Sequence, residues 1–256
     1  MAKIVEITGS PGAGKTTIYR EMEARARRNK KYNWVPGYYL YPRERLMIEE
    51  RGFLISNLLR QVATGRRKVD MAAMIEAGER FIASYPDYMD ACWNNINCTQ
   101  KKNLNGLDLR FQKISYIYTV IQKIQTLREQ NSDKIAVVDE GLIHFLTTRL
   151  YNREYVGNEK EEIVNLLQIM PLPNAVISIE TDLKENTKRL MQRKKVIPMH
   201  KSLVISQLEK ITYLDHNIRA IVNDALEDMD IPFLRIDSTD KVANNVDKII
   251  DFVERL

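Results

Sequence analysis

Cysteine is nearly absent from this 256-residue sequence: Cys92 and Cys98 are the only two. Their C-x5-C spacing fits no zinc pattern, and two thiols in a chain of this size exclude a disulfide scaffold and point to a reducing compartment. Long apolar runs are missing as well. No stretch approaches the roughly 18 residues that a membrane-spanning helix needs. The opening "MAKIVEITG" has no signal-peptide core followed by a small-residue cleavage site, so the cytoplasm is the expected location and no membrane partner is expected. Linkers rich in Pro, Gly or Ser, repeats and low-complexity tracts are lacking too, which makes one domain over residues 1–256 the simplest organisation. The surplus of positive charge is small, +5 formally, and suits small anionic ligands. Nucleic acid stays open on that ground without being favoured, and a homodimer is compatible with the chain.

What is present is an alternation. "KIVEITG" (3–9), "KIAVVDEG" (134–141) and "NAVISIET" (174–181) are short apolar runs that read as buried strands, and "IPFLRID" (231–237) reads as a last strand. A further strand is expected near Gly37 to Tyr41, although Pro36 weakens it. Helices are expected over 15–28, around Lys188 to Arg193, from Leu208 to Ala225, and in "VANNVDKIIDFVERL" at the end. Strands alternating with helices predict an α/β fold whose five-stranded parallel sheet is covered on both faces. Between about 43 and 130 only helical spacing appears, as in Ile114, Ile117, Val120, Ile121, Ile124 and Leu127, or in "FLISNLLRQV". That stretch is expected to be a large helical insertion, and it holds Arg43, Arg45, Arg51, Arg60, Arg66, Arg67, Arg80 and Arg110.

The strongest chemical signal is Gly9-Ser10-Pro11-Gly12-Ala13-Gly14-Lys15-Thr16-Thr17, which fits G-x-x-x-x-G-K-[ST] between a strand and a helix. Glycines let successive backbone N–H groups turn into one concavity, and the helix that follows adds its positive end. Lys15 is expected to reach the β- and γ-phosphates of ATP, and the Thr16 hydroxyl to ligate Mg²⁺. Asp139 closes the strand "IAVVD", where a second metal-holding carboxylate belongs. Glu140 beside it is a candidate general base or water-orienting group, and which of the two acids takes the proton is left open. His144 is a candidate substrate ligand, against the plainer reading of a structural histidine. Tyr38, Tyr39 and Tyr41 could stack on a base or simply fill a core.

"GSPGAGKTT", "VVDEG", "LPNAVISIETDLKENTKRLMQRKK", "LEKITYLDHNIRAIVNDAL" and "IPFLRIDSTDKVANNVDKIIDFV" occur in the order and spacing of the P-loop nucleoside and nucleotide kinases. The chain most resembles their thymidylate-kinase and deoxynucleoside-kinase branch. The resemblance covers the first 20 residues and about 134–256. It implies a lid over about 188–203 whose R-x-x-x-R arginines, here Arg189 and Arg193, cover the transferring phosphate. It also implies that Asp237 to Thr239 border the adenine ring. The chain departs from the pattern after the third-strand acid, where Glu140 and Gly141 stand in place of the usual arginine. Glu44, at the end of the second-strand region, is only a loose match to the expected acid. The implied activity is ATP- and Mg²⁺-dependent phosphoryl transfer to a small acceptor, first a nucleoside or nucleotide. A sugar phosphate, a polynucleotide end, or an ATP-regulated binding module with slow hydrolysis are the alternatives.

Overall fold

The computed structural model describes residues 1–43, 69–97, 109–150, 159–193 and 205–256. The expected helix in "FLISNLLRQV", the residues Glu44, Arg45, Arg51, Arg60, Arg66, Arg67 and Cys98, and positions 194–203 of the expected lid lie outside them.

Five parallel strands form one sheet in the order β2-β3-β1-β4-β5: β1 (Ile4–Gly9), β2 (Trp34–Pro36), β3 (Ile135–Asp139), β4 (Ala175–Glu180) and β5 (Phe233–Asp237). β1 sits in the middle with every residue buried, which is why its sequence is a near-continuous apolar run instead of an alternating one. Val5 and Ile7 face one layer, built from α1 (Lys15–Arg28) and the closing helix α9 (Val242–Glu254). Ile4 faces the other, where Phe81, Tyr88, Ile117, Ile121, Phe145 and Val222 meet.

That second layer draws on α2 (Met71–Ser84), α3 (Pro86–Asn97), α4 (Leu109–Glu129), α5 (Leu142–Leu150), α6 (Glu159–Ile169) and α8 (Ile205–Asp228); α7 (Leu183–Met191) follows β4. Three helices thus occupy the described part of the expected insertion. Asp70 caps α2 by accepting from the Ala73 amide at 3.0 Å, and Asp182 caps α7 by accepting from Glu185 at 2.9 Å, so two of the helix starts are set by side chains.

The second strand differs from the sequence expectation. It occupies Trp34–Pro36, and Gly37–Leu40 forms a 3₁₀ turn. Pro36 is tolerated because β2 is an edge strand that pairs with β3 alone, so the missing N–H takes nothing from the ladder. The turn stacks Tyr38 on Tyr39, with the Tyr38 hydroxyl on Glu23 of α1 and Arg27 Nε donating to the Tyr39 hydroxyl at 3.3 Å. These tyrosines clasp α1. Cys92 is buried and packed in the core.

All five strands end at the same edge. β1 leads to β2 on one side, while β3 crosses over to β4 on the other, so the chain reverses direction at β1. Ligands of open α/β sheets lie in the crevice at such a reversal.

Candidate active site

Beyond β1 the chain curls into the loop 9–14. Gly12 takes φ 92°, and a side chain there would collide with Asn186 Oδ1 at 2.6 Å, so only glycine fits under α7. The Ala13 amide closes a turn on the Ser10 carbonyl at 3.0 Å. α1 then starts at Lys15 with Gly14 as its N-cap, which offers no side-chain acceptor, and its first turn holds no acid. The positive end of this helix is therefore left for an external anion.

Lys15 is buried at 6% exposure. Its Nζ donates to the Gly9 carbonyl at 2.7 Å and to the Ser10 carbonyl at 3.4 Å, with Glu140 Oε1 4.0 Å away. Burial, then the nearby Arg219 charge, push the ammonium down to about 8, while the Glu140 and Asp139 carboxylates pull the other way.

The acidic turn after β3 is held from below. Glu6 on β1, 1% exposed, accepts the backbone N–H groups of Gly141 (3.0 Å), Ile143 (3.1 Å) and His144 (2.8 Å), capping α5 with a carboxylate from another strand. Burial pushes Glu6 up to about 7 against those three donors. A Cβ on Gly141 would stand 2.5 Å from Glu6 Oε2, so the glycine of "DEG" leaves room for this cap. Glu140, just before it, takes φ 67°, a left-handed conformation that a non-glycine residue adopts at a cost of about 1–3 kcal/mol.

The strained Glu140 faces an open cavity of about 540 Å³, which Ser10, Pro11, Gly12, Gly14, Lys15, Thr16 and Thr17 also line, together with His144, Arg189 and Arg193. Asp139 is largely buried at the strand end. Its Oδ1 has no hydrogen-bond partner among the described residues, and burial, then the adjacent Glu140 charge, raise the carboxyl to about 6. His144 is 7% exposed with Nε2 3.6 Å from Glu140 Oε1; burial and the Lys15 and Arg219 charges keep the ring neutral.

Arg189 spans α7 and the loop after β5. Its Nε donates to Glu185 at 2.8 Å, Nη1 to Ser238 Oγ at 2.8 Å and Nη2 to the Ser238 carbonyl at 3.3 Å. Arg193 does not share a helical face with it, because α7 ends at Met191 and Arg193 is an exposed residue beyond the cap. Both still border the cavity. Tyr38, Tyr39 and Tyr41 do not line it. Of the insertion arginines within the described residues, Arg43 donates to the Tyr38 carbonyl at 2.9 Å and Arg80 pairs with Glu129 at 2.7 Å.

Sequence reasoning missed several residues here: Glu6, Asn186, Asp215, Arg219 and Asn245. Three left a trace. Glu6 is the one carboxylate inside the apolar run of β1, and Asp215 and Arg219 fall among the apolar positions of α8, beside Leu208, Ile218 and Val222. An acid or base on a buried stripe must find a polar partner.

No protein-family model matches this sequence. A search of curated protein sequences likewise finds no match. Among solved structures, a deoxyadenosine kinase from M. mycoides with the products dCMP and dCDP superposes at a TM-score of 0.51, with 13% identity over 99% of this chain and 100% of that one. Two further structures of that enzyme, with dATP (TM-score 0.48, 13% identity, 97% of each chain) and with dCTP (0.45, 13%, 99% and 100%), are also similar. The first superposition shows that the two chains share the P-loop kinase fold.

Proposed function

We propose that this chain is a phosphotransferase that moves the γ-phosphoryl group of ATP to a hydroxyl of a nucleoside or nucleotide. The observation that carries the reading is the meeting, at one cavity, of an uncapped helix start, a buried lysine and a strained carboxylate. The shared fold supports it, since the kinase that superposes is by its name a deoxyadenosine kinase and holds dCMP as a product.

Loop amides and the start of α1 bind the phosphates, and Lys15 exchanges the Gly9 and Ser10 carbonyls for phosphate oxygens. Thr16, exposed at the cavity, and Asp139, whose buried Oδ1 has no hydrogen-bond partner among the described residues, are hard oxygen donors that would hold Mg²⁺. When bound, Mg²⁺ would neutralise charge on the β- and γ-phosphates. The acceptor hydroxyl gives its proton to Glu140 as its oxygen bonds to the γ-phosphorus, and the bond to the β-bridging oxygen breaks to release ADP. His144, neutral, lines the same wall 3.6 Å from Glu140. Arg189, held to Ser238 next to Asp237 and Thr239, closes the adenine side, and Arg193 supplies charge toward the phosphates.

Turnover of ATP should depend on an added acceptor, with deoxyadenosine and deoxycytidine the first to try and sugar phosphates next. Glu140→Gln should keep nucleotide affinity and lose about 10²–10⁴-fold in rate. ATP hydrolysis that stays slow and indifferent to every acceptor would favour a nucleotide-regulated binding module instead.

A further inference from the structure

Four polar side chains lie packed around the phosphate loop, and the chemistry above uses none of them. Asn186 of α7 is fully buried. Its Nδ2 and the Nε2 of His216 on α8 are 2.8 Å apart, and its Oδ1 fills the space beside Gly12. Next to His216, Asp215 lies by the Ser10 side chain; against burial, the Arg219 charge and that side chain hold its carboxyl below the usual range, and it accepts a hydrogen bond from Arg219 Nε at 2.8 Å. Arg219 Nη1 donates to Thr8 Oγ1 at 2.9 Å. Two helices thus meet the chain around the loop: Arg219 of α8 bonds Thr8 just before it, Asp215 lies beside Ser10, and Asn186 of α7 packs against Gly12. Asn186 and His216 fasten them to each other.

This arrangement is a poor way to gain stability alone. A buried ion pair such as Asp215–Arg219, both under 10% exposed, is often replaceable by apolar side chains without loss. Two atoms of the cluster, Asn186 Oδ1 and Arg219 Nη2, are buried with no hydrogen-bond partner among the described residues, which an apolar core would avoid. What the cluster does provide is a fixed geometry between the loop and α7. Lys15 must leave the Gly9 and Ser10 carbonyls when a phosphate enters, and those two residues lie between Thr8 and Gly12, which this cluster contacts.

We infer that Asn186, His216, Asp215 and Arg219 are positioning residues: they tie the state of the phosphate loop to the orientation of α7, and so bring Arg189 to the nucleotide when the loop is filled. The inference rests on the phosphoryl-transfer reading only in taking a nucleotide as what fills the loop.

The test is amide hydrogen exchange in α7 with and without the magnesium complex of β,γ-imido-ATP, alongside calorimetric affinity. In the parent protein the analogue should slow exchange in α7. His216→Phe, at a half-buried position, should bind the analogue like the parent while this slowing falls roughly 3- to 30-fold, and His216→Gln should restore it. The pair Asp215→Asn/Arg219→Met, which leaves no buried charge unmatched, should lose the slowing as well. If that pair fails to fold, the two His216 variants decide. Undiminished slowing in folded His216→Phe overturns the inference, as does a parent protein that binds the analogue with no change in α7. A parent protein that binds no analogue overturns the proposed function itself.

Discussion

Glu6 and Lys15 are two buried ionisable residues whose stability effects run oppositely with pH. Glu6 holds the turn that carries Glu140, and its folded-state value of about 7 lies above the ordinary 4.5. The folded protein therefore binds this proton more tightly than the unfolded chain, and the stability it contributes is lost as pH rises from about 4.5 through 7. Glu6→Gln should flatten that slope. It should also cost about 1–3 kcal/mol, because a carboxamide presents N–H groups to at least one of the three amides it now accepts. Urea midpoints at pH 5 and 7.5 would show both effects; an unchanged slope would mean that the turn does not depend on this carboxylate. Lys15 behaves the other way. Its folded value of about 8 lies below 10.5, so the cost of burying the ammonium fades and stability rises as pH climbs through that window. Lys15→Met should remove this rise and, in the same protein, reduce turnover at least 10²-fold by deleting charge at the transferring phosphate. Turnover persisting in a folded Lys15→Met protein would defeat the proposed mechanism.

Among the elements, the buried strands β1, β3 and β4 were legible because a run such as Ile4-Val5-Glu6-Ile7 or Ile135-Ala136-Val137-Val138 suits only a sheet covered on both sides. The three-residue β2 was not, since its length carries no periodicity and its proline argues against a strand until the strand is known to be at the edge. The end of α7 was misplaced for a related reason. "TKRLMQRKK" continues a helical pattern, and nothing local forbids it, yet the last helical residue is Met191. That difference separates the two arginines. Arg189 is engaged with Glu185 and Ser238, so Arg189→Ala should release the loop after β5 and weaken ATP binding, on the order of tenfold for the loss of charge-assisted hydrogen bonds. Arg193, exposed at the rim, should when replaced by alanine leave affinity unchanged and slow the chemical step. Calorimetric affinities beside single-turnover rates would separate these outcomes. Equal losses of rate and no loss of affinity in both variants would return Arg189 to the phosphate.

Over the whole molecule, the phosphate loop could be read directly because its residues are contiguous: strand, turn and helix are one stretch of 25 residues from Ile4 to Arg28. The supports of the loop could not, because Glu6 lies 135 residues from the Gly141 amide it accepts, and Arg219 lies 211 from Thr8. Such pairings follow from the β2-β3-β1-β4-β5 order, which places β1 between the acidic turn and α8, and the order is not written in any local pattern. One consequence reaches the entire fold. A nucleotide bound there as proposed would touch residues that β1, β3, α7 and α8 support together, so its binding should stabilise the unfolding unit as a whole. The magnesium complex of β,γ-imido-ATP at about 100 times its Kd should contribute about 2.7 kcal/mol, raising Tm by roughly 5–10 °C in a chain of this size. The true acceptor should add a further shift only when the analogue is present, because its hydroxyl must approach a filled loop. Calorimetric scans with the analogue, the acceptor and both would measure this. Shifts that simply add would indicate independent sites, whereas a combined shift larger than their sum would mark one site that both ligands complete.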